Sequence, residues 1–234
     1  MNDIGQWVDG WWFRVEPPSQ PEQKALPIVF LHGWTGDELS MDLFSRSIHE
    51  SSWRIFPRGP VQARPSGYGW VTPNSDATAL SSEFVSVAEQ LRTRLLNLST
   101  LLHLPKTQFN FIGFSQGAAL LYGFLSRYGI QIRKAAFLSG FLPPEISFLP
   151  APSSQRPDIL ITHGSKDETI PVAQAYQASA TLRALGYSVS FCEGEIGHKL
   201  SATCLASLQR FISENPRSSS ASNGENSQQN SDGS

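Results

Sequence analysis

The sequence predicts an α/β fold: a mostly parallel central sheet with helices on both faces and no large cap domain. Short apolar runs of strand character alternate along the chain with helical patterns, the order a parallel α/β sheet requires. Several of these runs lack polar–apolar alternation, as strands covered on both faces do. The 234 residues are compatible with one large domain and ample for a buried core.

Trp11–Val15 is the first strand-like run, and a proline- and glutamine-rich connection over 17–27 leads from it to a second, Ile28–His32. Trp53–Phe56 reads as the next strand. Leu80, Phe84, Val87, Leu91, Leu95, Leu98 and Leu102 then follow at steps of 4, 3, 4, 4, 3 and 4. That spacing makes one apolar helix face, with Glu89, Arg92 and Arg94 off the stripe. The strand-like run Phe109–Ile112 precedes a helix-like run from Ala118 to Tyr128 that stops at Gly129. Ala135–Leu138 is a further strand, and the proline-dense stretch 143–157 reads as a surface loop. After strand Ile159–Thr162, a helix opens at Pro171, places Ala175, Ala178, Leu182 and Leu185 on one face, and ends at Gly186. Ser188–Cys192 is the last strand-like run. The final helix, 201–213, carries Leu205, Leu208 and Ile212. Residues 1–215 thus form the domain. From Pro216 to Ser234 no large apolar residue remains, so a disordered polar tail is expected.

A formal charge of −2 and 40% hydrophobic residues describe an ordinary globular chain, with no basic stripe to suggest nucleic acid. No run of 18 apolar residues suggests a membrane span, and Met1–Gly5 lacks the features of a secretion signal. Cys192 falls in a strand-like run and Cys204 in a helical one, so buried thiols are expected rather than a disulfide or metal ligands. A cytoplasmic setting fits these readings best.

The most informative stretch is Gly113-Phe114-Ser115-Gln116-Gly117, a Gly-x-Ser-x-Gly pentapeptide between a strand and a helix. This context makes a nucleophile elbow, in which a serine sits at a sharp, strained turn and the following helix aims its N-terminus at a developing oxyanion. A serine hydroxyl needs a base, and the base an orienting carboxylate. Asp167 lies in the loop after strand 159–162, and His198 in the loop after strand 188–192. The order Ser115, Asp167, His198 is that of the α/β-hydrolases, and all three fall at carboxyl ends of strands. Glu168 and Asp158 are the alternatives to Asp167. His49 and His103 read as surface residues, and His32 and His163 as residues that shape their loops. The loop Leu31–Asp37 follows the first central strand, where one oxyanion donor belongs. It nominates the backbone N–H of Trp34, with that of Gln116 as the second.

Several motifs now stand in order: Leu31-His32-Gly33-Trp34, Phe56-Pro57-Arg58-Gly59-Pro60, Gly67-Tyr68-Gly69-Trp70, the elbow, His163-Gly164 with Asp167 and Ile170-Pro171, and Gly197-His198. Together they resemble the phospholipase/carboxylesterase branch of the α/β-hydrolases, which includes acyl-protein thioesterases, over about residues 10–213. The resemblance implies Ser115 as nucleophile, Asp167 as orienter, His198 as base, and Trp34 and Gln116 at the oxyanion positions. Two departures stand out: Val71-Thr72-Pro73 where many members carry an acidic residue, and Lys199 after the histidine. Trp34, Tyr68, Trp70, Phe114, Phe141, Leu142 and Ile170 are expected to rim Ser115 and to receive an apolar acyl chain.

The expected activity is therefore a serine esterase or thioesterase that needs no metal or organic cofactor. Its substrates would be small or lipid-like esters and thioesters, lysophospholipids and S-acylated proteins among them. A ligand receptor or scaffold with slow or no turnover is the alternative from another class, and a serine peptidase is a weaker one.

Overall fold

A computed structural model of the chain describes residues 3–19, 25–48, 51–73, 77–104, 108–128, 132–149 and 152–214. The expected tail over 216–234, the helix stop at Gly129 and His49 lie outside these residues. In chain order the elements are β1 (Ile4–Val8), β2 (Trp11–Glu16), β3 (Ile28–Leu31), α1 (Asp42–Ser45), β4 (Arg54–Pro57), β5 (Val61–Gln62) and β6 (Tyr68–Gly69). There follow α2 (Ala77–Leu101), β7 (Phe109–Phe114), α3 (Gln116–Tyr128), β8 (Ile132–Leu138), β9 (Asp158–Gly164), α4 (Val172–Ala184), β10 (Val189–Gly194) and α5 (Ala202–Ser213).

Eight strands form one sheet in the order β1-β2-β4-β3-β7-β8-β9-β10. From β4 to β10 every pairing is parallel, while β2 joins β4 and β1 joins β2 antiparallel. The parallel strands are apolar on both faces because each face has its own core. Along β3, Ile28 and Phe30 enter the core under α1 and α5, whereas Val29 and Leu31 enter the core under α2, α3 and α4. Phe111 and Ile112 of β7 divide in the same way, as do Phe137 and Leu138 of β8. This explains why the period of two, intact in the backbone, is invisible in the hydrophobicity of the sequence. Each such side chain, once fully buried, contributes about 1.5–3 kcal/mol.

Every strand-like run noted above is a strand of this sheet. Two features were not visible. β1 has Gly5 and Gln6 at its centre, so no apolar run marks it, and only pairing with β2 makes it a strand. The short hairpin β5–β6 forms a separate two-stranded sheet on the 58–70 excursion. Leu185, expected on the buried face of α4, lies past its end and is exposed.

The expectation for the cysteines is overturned. Cys192 and Cys204 are not free thiols but form a disulfide, with Cα atoms 5.6 Å apart. Cys192 is in β10 and Cys204 in the first turn of α5; the intervening loop folds back so that helix and strand pack side by side. Assigning the cysteines to different elements did not keep them apart. The bridge also removes the argument for a reducing, cytoplasmic setting that rested on free thiols. No helix among the described residues is long and apolar enough to cross a membrane.

Candidate active site

β7 ends at Phe114 and α3 begins at Gln116, which leaves Ser115 alone in the turn with φ +53°. A non-glycine residue in this left-handed region is strained, so the surroundings must hold it. Ser115 N–H donates to the carbonyl of Leu138 (2.9 Å), and Ser115 O accepts from the N–H groups of Ala118 (3.0 Å) and Ala119 (3.2 Å). The flanking glycines are needed for close approach. A Cβ on Gly113 would stand 2.5 Å from the carbonyl oxygen of Gly117, and one on Gly117 only 2.1 Å from that of Leu31.

Gln116 is buried and ties the elbow to a neighbouring loop. Its Oε1 accepts from Trp70 N–H (2.7 Å) and its Nε2 donates to the carbonyl of Val71 (2.6 Å). Its own backbone N–H lies in the first turn of α3, where no intrahelical acceptor exists.

The loop after β3 lies over Ser115: a Cβ on Gly33 would be 3.2 Å from the Cβ of Ser115. His32 is buried and shapes this loop. Its Nε2 accepts from Gly59 N–H (3.0 Å) and its Nδ1 lies 2.7 Å from the Gly33 carbonyl, which places the hydrogen on Nδ1. Burial lowers the His32 pKa, against the Gly33 bond and the charges of Asp37 and Glu38. Further along, Gly36 N–H donates to Gly33 O (3.1 Å), and Gly36 O accepts from Tyr68 N–H (2.7 Å). Asp37 Oδ1 accepts from the N–H groups of Leu39 and Ser40, each at 3.0 Å. Two arginines pin the rest. Arg14 pairs with Asp42 and Glu16 and donates to the Glu38 carbonyl at 2.9 and 3.1 Å. Arg58 pairs with the Glu38 carboxylate through Nε (2.7 Å) and lies over the Tyr68 ring (4.8 Å). Arg58 is thus taken up by the protein.

On the other side, the loops after β9 and β10 are stitched together by Ser165 N–H to Gly194 O (2.8 Å) and Lys166 N–H to Ile196 O (3.0 Å). This brings Asp167 to His198, with Oδ2 of the carboxylate 2.7 Å from Nδ1 of the ring. Oδ1 of Asp167 accepts from the N–H groups of Thr169 and Ile170, both at 2.9 Å. Burial by itself would raise the Asp167 pKa, but the Ile170 bond, the contact with His198 and the Thr169 bond together hold it below its ordinary value. The His198 ring in turn packs on Phe114, the residue before Ser115, at 5.0 Å between centroids. Of the alternatives to Asp167, Glu168 is exposed and Asp158 opens β9 at its far end.

A cleft of about 500 Å³ opens beside these groups, lined by Trp34, Met41, Leu43, Phe44, Phe114 and Leu200 with His198 and its neighbours. Of the seven expected rim residues, Trp34 and Phe114 line it. Trp70 is 0% exposed; it packs between His32 and Trp11, and its indole N–H donates to the His32 carbonyl (2.7 Å). It is a core residue and cannot rim the site. Ile170 is buried and serves Asp167 through its backbone. Phe141 is half-buried against Phe84 (6.0 Å), and Tyr68 lies half-buried beneath Arg58. The wall formed by Met41, Leu43 and Phe44 was missed. Its sequence signal was an apolar cluster just beyond the Trp34 loop, with Met41 and Phe44 at a helical spacing. No group of His, Cys, Asp and Glu among the described residues is arranged to hold a metal ion.

Comparison with known proteins agrees with this architecture. The fold matches a Bacillus cereus carboxylesterase with a TM-score of 0.75 at 14% identity, covering 87% of this chain and 94% of that one. A carboxylesterase from Mesorhizobium loti matches at 0.73 and 18% identity, covering 91% and 99%. SOBER1 of Arabidopsis thaliana matches at 0.62 and 19%, covering 80% and 97%. In sequence, the chain is 26% identical over 218 residues to a protein of Oryza sativa subsp. japonica named as a probable inactive carboxylesterase, covering 85% of this chain and 88% of that protein. The phospholipase/carboxylesterase family model matches residues 12–215, and the chain therefore belongs to the phospholipase/carboxylesterase family.

Proposed function

We propose that this protein is a serine hydrolase of carboxylic esters or thioesters with apolar acyl groups. The observation that carries the reading is the 2.7 Å contact of buried Asp167 with His198, whose ring packs on the residue preceding a strained Ser115. In this reading Ser115 Oγ attacks the acyl carbonyl while His198 Nε2 takes its proton. The backbone N–H groups of Trp34 and Gln116 hold the tetrahedral oxyanion. Collapse breaks the bond to the leaving alcohol or thiol, which receives the proton from His198. Water, deprotonated by His198, then attacks the acyl-enzyme, and the acid departs as Ser115 is restored. Asp167 keeps the hydrogen of His198 on Nδ1 and stabilises the imidazolium.

The apolar cleft supports the acyl preference. Met41, Leu43, Phe44, Phe114 and Leu200 offer a hydrocarbon chain an apolar wall, and Lys199 also lines the cleft. Each methylene buried there contributes up to about 0.8 kcal/mol, close to fourfold in binding. Lysophospholipids, acyl-CoAs and S-acylated peptides all satisfy this chemistry. Turnover against them and a series of p-nitrophenyl esters identifies the leaving group. Ser115→Ala should abolish both turnover and labelling by a fluorophosphonate. A label mapping to another serine would refute the assignment.

A ligand receptor or scaffold with slow or no turnover is the second reading, and the finding in its favour is that the rice relative is named as probably inactive. Folded wild-type protein that neither takes the fluorophosphonate nor turns over any ester would refute the first reading and leave the second.

A further inference from the structure

Asp167 touches a second histidine. His163 stands near the end of β9, four residues before Asp167, and its side chain is 0% exposed. Its Nε2 lies 2.8 Å from the Ile170 carbonyl oxygen and 3.3 Å from Oδ2 of Asp167, the same oxygen that faces His198. The carbonyl accepts only, and so does the ionised carboxylate, so the ring hydrogen belongs on Nε2. Nδ1 is then a buried lone pair, and no partner for it exists among the described residues. An unpaired buried polar atom is destabilising, and leucine at this position would fill similar space without one. Packing alone therefore gives no reason for a histidine here. Its single N–H does.

We infer that His163 is a positioning residue for the proposed hydrolase: its Nε2–H, hydrogen-bonded to the Ile170 carbonyl and facing Asp167 Oδ2 at 3.3 Å, fixes the carboxylate on His198. The inference rests on the hydrolase reading for its kinetic consequence but not for the contact. With Oδ1 held by Thr169 and Ile170 and Oδ2 facing the His163 N–H, the carboxylate lone pair stays aligned with His198 Nδ1. The positive end of this N–H, 3.3 Å from Oδ2, also offsets part of its charge and so limits how strongly Asp167 stabilises the imidazolium. The remaining charges near this cluster lie in solvent: Lys166 and Glu195, paired at 2.7 Å, with Glu168, Glu193 and Lys199.

The test compares wild type, His163→Leu and His163→Gln, whose side-chain amide can replace the lost N–H. The first readout is the titration of the His198 ring by NMR, which needs no turnover. Without the donor, Oδ2 stabilises the imidazolium more, so the midpoint in H163L should rise by about half a pH unit, roughly threefold in proton affinity. H163Q should return it close to wild type. For a p-nitrophenyl ester, kcat of H163L should fall on the order of tenfold or more at unchanged KM, with recovery in H163Q. An unmoved His198 midpoint in H163L, or equal shifts in both variants, overturns the inference. Should H163L fail to fold, the nitrogen shifts of His163 in wild type decide: the Nε2–H tautomer is expected, and Nδ1–H overturns the inference. A wild type that hydrolyses nothing refutes the hydrolase reading alone, since the titration still reports on the contact.

Discussion

Replacing Leu43 by serine tests the proposed acyl cleft with the least disturbance to the fold. Leu43 lines the cleft yet is 72% exposed, so the core loses little when it is shortened. Fully burying a leucine side chain is worth about 1.5–3 kcal/mol. An acyl chain that covers about half of what Leu43 exposes would gain roughly 0.5–1 kcal/mol, a factor of about two to five. An acetyl group is too short to reach that wall and should gain nothing. The expectation for Leu43→Ser is thus an unchanged kcat/KM for p-nitrophenyl acetate and a two- to fivefold loss for medium chains. The loss should appear in KM, because ground and transition states share the contact equally. The assay is steady-state hydrolysis of p-nitrophenyl esters from two to twelve carbons, with thermal melting to confirm the fold. Equal losses at every chain length, or an unaltered dependence on length, would refute the placement of the acyl chain.

Three further outcomes follow from the geometry. Trp70→Ala should destabilise the domain by about 3–5 kcal/mol in denaturant unfolding, as expected for a fully buried aromatic, without changing the chain-length slope in the folded fraction; a flattened slope at full stability would put Trp70 back in the site. Replacing both Cys192 and Cys204 by alanine removes a bridge across a sequence separation of 12, and the denaturant midpoint should fall by an amount equivalent to about 3 kcal/mol. Because the bridged segment contains His198, kcat should fall as well, and an unchanged kcat would show that the loop is held by its packing alone. Asp167 has a folded-state pKa below its ordinary value of 3.8, so its contribution to stability is complete above about that pH and is lost as pH falls through the lower folded value. Asp167→Asn should therefore be less stable than wild type near pH 5 and show a shallower decline below pH 4; parallel declines would mean that the carboxylate is not held as described.

Much of the fold was legible because it rests on short-range rules. Strand-like runs, the heptad-like spacing of Leu80 to Leu102, and Pro171 and Gly186 around α4 each reflect preferences of the local backbone. The same holds for the elbow, since Gly113, Ser115 and Gly117 are required within one turn. That Asp167 and His198 occupy loops at the same end of the sheet could be read from strand order. Their separation of 2.7 Å could not, because it depends on how the loops after β9 and β10 hydrogen-bond to one another.

What the sequence by itself determined was the alternation of strands and helices, the polarity of the sheet, and the end of it at which chemistry-bearing residues gather. The tertiary structure alone decided which loop aromatics are buried. Trp70 lies between His32 and Trp11 because segments 38 and 59 residues away in the chain converge on it. It also decided that Cys192 meets Cys204, that Met41, Leu43 and Phe44 form the cleft wall, and that His163 lies 3.3 Å from the Asp167 oxygen that faces His198. Local sequence carries the conformational preferences of a few neighbouring residues. Contacts of this kind are set by where distant segments end up when two cores close on the two faces of one sheet.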